Sequence, residues 1–67
     1  MSPPDGVPLD LRIELSREQA WAFAEFLKRV AVDDYHRLAV NLDEAYAMQD
    51  AGDAIRRTLA EQGYAPR

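Results

Sequence analysis

The stretch LDLRIELSREQAWAFAEFLKRV, residues 9–30, changes its hydrophobic period part-way along, and that change decides the fold. Leu9, Leu11, Ile13 and Leu15 alternate with Asp10, Arg12, Glu14 and Ser16, the period-2 pattern of a strand with one buried face. From Ser16 onward the period is helical. Ser16 with Gln19 three residues later reads as a capping box, and Glu18 sits favourably in the first turn. Ala20, Phe23, Ala24, Leu27, Val30 and Ala31 then share one face, while Glu18, Glu25 and Arg29 lie opposite, Glu25 and Arg29 at ion-pair spacing. A strand over about 9–15 and a helix over about 17–31 are expected. The strand needs a partner for its backbone groups: a return segment around Leu38 to Leu42, or its copy in a second subunit.

Downstream, Asp33 is expected to cap a short helix over about 33–39, and Asn41 with Glu44 forms a second capping-box pattern opening a helix over about 42–62. Ala45, Met48, Ile55 and Leu59, with Gly52 on the same stripe, keep helical spacing, and Gly63 is placed as the residue just past the end. Gly52 costs roughly 1 kcal/mol relative to alanine inside a helix, so a close approach by the first helix is expected there. Upstream, residues 1–8 hold three prolines and a glycine and read as an arm. The expected fold class is thus α+β and mostly helical: an arm over 1–8 and a single compact domain over 9–67.

Sixty-seven residues without cysteine make one small core with neither disulfides nor thiolate metal sites to support it. A secretory signal and a membrane-length apolar run are both lacking, so a soluble cytoplasmic protein is expected. The net charge of −4 disfavours direct contact with nucleic acid. That charge is unevenly spread. Asp33, Asp34, Asp43, Glu44, Asp50 and Asp53, against Arg37 alone, give −5 between residues 33 and 54.

A catalytic reading of these carboxylates fails on geometry, because acid–base pairs need burial to separate their pKa values and these face solvent on a helical wheel. His36 beside Asp33 and Asp34 lacks a second cluster to converge on a metal. No enzyme, cofactor or metal site is therefore expected. On the wheel Asp43, Asp50 and Asp53 gather around Tyr46, opposite Met48, Gly52, Ile55 and Leu59, although Arg57 shares the acidic face and Glu44 falls toward the apolar edge. Tyr46 is either an interface residue, since tyrosine supplies a rigid contact surface with a polar tip, or a ring lying over the neighbouring helix. Asp33, Asp34, Asp43, Glu44, Tyr46, Asp50 and Asp53 are accordingly the candidate partner-binding residues, with a basic protein surface as the partner. Trp21, at the edge of the first helix's apolar stripe, is either a secondary contact or covered by the arm.

Leu9 to Val30 resembles the opening of a ribbon-helix-helix repressor, which implies a dimeric regulator or antitoxin. The outward Asp10 and Glu14 are unfavourable for reading DNA. A second resemblance spans ELSREQAWAFAEFLKRV, DDYHRLAV and LDEAYAMQDAGDAIRRTLAEQGYAPR. These runs look like small acidic proteins encoded by phages and prophages of Gram-negative bacteria, among which anti-CRISPR inhibitors recur. The resemblance implies a stoichiometric inhibitor whose acidic, DNA-mimicking surface blocks target binding by a Cascade-type CRISPR effector in the host cytoplasm, with monomer and homodimer both open.

Overall fold

The computed structural model describes residues 8–67. Three helices follow one another: α1 (Arg17–Arg29), α2 (Val32–Leu38) and α3 (Leu42–Glu61). The expected α+β class is overturned, because no strand exists among the described residues and the chain is all-helical there. Residues 8–16 run without helix, turn or bend into Ser16, whose backbone is extended (φ −67°, ψ 162°). No described segment forms a ladder with them. The anticipated return segment is otherwise engaged: Leu38 closes α2, residues 39–41 bend, and Leu42 opens α3. Alternation specifies which face of a segment seeks burial, but a strand also needs a neighbour's donors and acceptors. The arm proposed for residues 1–8 lies almost wholly outside the described residues.

The helix ends follow local chemistry. At α1 the Gln19 N–H donates to Ser16 Oγ (3.0 Å) and the Ser16 N–H donates to Gln19 Oε1 (2.9 Å), a complete capping box. Ser16→Ala removes one half of that exchange and should lower stability by about 1 kcal/mol, read as a shift in the urea midpoint. The helix stops at Arg29, earlier than the spacing implied, with Val30 already extended. Asp33 does not cap α2. Ala31 is the N-cap, and the carboxylate of Asp34, at the third helical position, accepts the Ala31 N–H at 2.9 Å. At α3 Asn41 Oδ1 accepts the Glu44 N–H (2.8 Å), but Glu44 reaches back one residue further than a capping box requires and accepts from the Val40 N–H (3.2 Å). The far end of α3 closes as a Schellman motif. Gly63 takes φ 99°, its N–H donates to the Ala60 carbonyl (3.0 Å), and the Tyr64 N–H donates to that of Leu59 (2.9 Å).

That closure turns Tyr64 back onto the core, where its ring meets Trp21 edge-on at 5.2 Å. The buried core consists of Ala20, Ala24, Leu27, Ala45 and Leu59. Alanines on both long helices allow close approach, while Leu27 and Leu59 supply most of the buried apolar volume. Gly52 does allow a close approach, though principally by α2 rather than by the first helix. A Cβ there would run into the Tyr35 hydroxyl and would stand 3.7 Å from Leu27 Cδ2. Helix α3 thereby serves as the platform on which α1 and α2 both pack.

Candidate protein-binding face

The carboxylates divide into two groups by what they touch. Asp33 and Asp34 occupy the first turn of α2, and Asp43 and Glu44 the first turn of α3. Negative charge at these positions is stabilised by the unpaired N–H groups and positive dipole of a helix start. Two of the four are committed further. Asp34 accepts the Ala31 N–H and pairs with Arg37 at 3.2 Å, and Glu44 accepts the Val40 N–H; both are half-buried. Only Asp50 and Asp53 lie in a helix interior, with no local structural task.

Much of the acidity between residues 33 and 54 therefore belongs to helix starts. The signal was present in the sequence, since Asp33–Asp34 and Asp43–Glu44 each come two or three residues after a helix boundary. The six carboxylates do not form one surface of equivalent groups. What α3 does present outward is Asp43, Tyr46, Asp50 and Asp53, all exposed and set over nearly three turns. Asp43 and Asp53 are about 15 Å apart along the axis.

Tyr46 is the aromatic centre of this face. Its ring is half exposed and meets His36 of α2 edge-on, at a centroid distance of 6.1 Å and an interplanar angle of 76°. The wheel puts Tyr46 on the polar face and leaves open whether its ring lies over a neighbouring helix; the ring is exposed and also rests against His36. The neighbour became visible only when α2 folded onto α3. Among the described residues no three metal-ligating side chains converge on a common point.

Trp21 is 44% exposed and touches Tyr64 of the carboxyl-terminal segment. Its expected covering by the arm lies outside the described residues. The region that sequence reasoning missed is apolar. Ile13 and Leu15 of the lead-in, Ala22, Phe23 and Phe26 of α1, and Ile55 of α3 line one open groove. Phe23 and Phe26 stack there at 5.5 Å and both remain exposed. The helical spacing assigns Phe23 and Ile55 to the core, but burial by the small alanine-rich contact stops short of them.

With this geometry in view, one comparison places the chain among known proteins. A model of a family of unknown function, DUF7706, matches residues 1–67 in full. The chain belongs to the DUF7706 family. Neither a curated protein nor a solved structure matches it. For this DUF7706 member no described helix is long and apolar enough to cross a membrane. Its candidate surfaces are the Tyr46 face on α3 and the apolar groove bounded by α1, α3 and the lead-in.

Proposed function

We propose that the protein is a non-enzymatic binding module that engages a basic protein surface through Asp43, Tyr46, Asp50 and Asp53. The observation that carries this reading is Tyr46, a half-exposed aromatic ring braced by His36 and flanked by exposed carboxylates one turn before and one turn after it. A rigid aromatic with a polar rim is the arrangement that concentrates binding energy in interfaces, and the surrounding negative charge speeds encounter with a basic partner. In its sharper form the proposal is an inhibitor that occupies the positively charged nucleic-acid channel of a CRISPR effector. That partner class comes from the resemblance to phage-encoded proteins. Because four of the six carboxylates stand at helix starts, the reading rests on a short acidic face with an aromatic anchor, not on an extended copy of a phosphate backbone.

Charge reversal tests it. The triple variant Asp43→Lys, Asp50→Lys, Asp53→Lys should retain its helicity, since exposed substitutions typically change stability by no more than about 0.5 kcal/mol each. The same variant should lose the ability to block target-DNA binding by a Cascade-type effector in a competition titration. Undiminished DNA binding by the effector at saturating wild-type protein would sink the inhibitor reading. A triple variant that blocks as well as wild type would remove the acidic face from it.

One observation favours a second reading, that of a dimeric antitoxin or a regulator resembling the ribbon-helix-helix class: the alternating lead-in is exposed and unpartnered among the described residues. Its outward Asp10 and Glu14 oppose contact with phosphates, so an electrophoretic shift of upstream DNA separates the readings directly.

A further inference from the structure

The apolar row Leu9, Leu11, Ile13 and Leu15 is 71, 69, 66 and 47% exposed, although its alternation is that of a buried face. Ile13 and Leu15 of this row line the groove formed with Phe23, Phe26 and Ile55 without being covered there. The main-chain groups of residues 9–15 likewise make no backbone hydrogen bond to any described residue.

The occupant is specified by the charges between the apolar residues. When two such segments run antiparallel about a two-fold axis, residues directly opposite share a face, so apolar meets apolar only if the axis passes through a residue. An axis through Arg12 sets Arg12 against itself and Asp10 against Glu14, which are all like charges. An axis through Leu11 also sets Asp10 on Arg12 twice, but it brings Pro8, which has no N–H, into the ladder opposite Glu14. An axis through Ile13 sets Ile13 on Ile13, Leu11 on Leu15, and Arg12 on Glu14 twice. The sequence is self-complementary in that register, both in polarity and in charge.

We infer that the lead-in is a dimerisation element: two copies of the chain pair residues 10–16 antiparallel about a two-fold through Ile13 and so cover the groove. Each chain by itself remains a three-helix protein, and the pairing exists only between chains. The surface is separate from the Tyr46 face, and so is its test.

Sedimentation equilibrium of the full chain between 1 and 100 μM should give twice the 7.6 kDa chain mass. Ile13→Asp places two carboxylates face to face at the apolar centre and should weaken association by about a hundredfold or more. Arg12→Glu and Glu14→Arg each create two like-charge pairs, and each should weaken it about tenfold. The double exchange should restore it, a rescue that neither the Leu11 nor the Arg12 register produces. Helicity by circular dichroism confirms that these exposed changes leave the helices intact. A monomer at 100 μM overturns the inference, as does a dimer indifferent to the single exchanges. Loss of effector blocking in the α3 triple variant with dimerisation retained would leave it standing.

Discussion

Leu27→Ala lowers the stability of the folded chain by about 2–4 kcal/mol, the range for emptying a buried leucine site. The physical reason is how little else the core contains. Of its five members three are alanines, and Leu27 is 6% exposed between α1 and α3, beside Leu59 and the open side of Gly52. A chain of this length has only about 3–10 kcal/mol of stability in all, so the loss removes about a fifth of it or more. Helices α1 and α3 part first, because Leu27 and Leu59 are the large side chains between them. Urea denaturation followed by circular dichroism measures the effect. Protein concentration must be held fixed, since association would add to the apparent stability. A loss below about 1 kcal/mol would mean that Leu27 is not the centre of the core.

Gly52→Ala should destabilise despite the better helix propensity of alanine. The exchange gains roughly 1 kcal/mol inside a helix, but the new methyl collides with the Tyr35 hydroxyl and lies 3.3 Å from Tyr35 Cζ. Overpacking of that kind costs about 1–3 kcal/mol, leaving a net loss of about 1 kcal/mol. The sign of a second change is diagnostic. Tyr35→Phe removes the colliding atom, so it should be nearly neutral alone and stabilising in the Gly52→Ala background. A coupling of about 1 kcal/mol between the two positions is expected in a double-mutant cycle. Additive effects would show that α2 does not pack across Gly52.

The helices were legible in the sequence because their determinants are local. Ser16 with Gln19, Asn41 with Glu44, and Gly63 act within one turn of the boundary they set, and the predicted pairing of Glu25 with Arg29 is present at 3.0 Å. The outward placement of Asp43, Tyr46, Asp50 and Asp53 was legible for the same reason, since a helical wheel needs only the rise and twist of one element. Burial was less so. Phe23 and Ile55 carry the right spacing for a core, yet the core formed around Ala20, Ala24 and Ala45 and left those larger side chains at the rim of a groove. Spacing names a face but not how far the neighbouring element extends over it.

By itself the sequence determined the three described helices, the N-caps of α1 and α3, the polar face of α3 and the alternating character of residues 9–15. Only the tertiary structure decided that α2 crosses Gly52, that His36 braces Tyr46, that Tyr64 meets Trp21 and that residues 9–15 find no strand partner among the described residues. The first set depends on contacts four residues apart or fewer, which any stretch of the chain specifies alone. The second depends on which surfaces meet, and that is fixed by the volume and reach of side chains far apart in the chain.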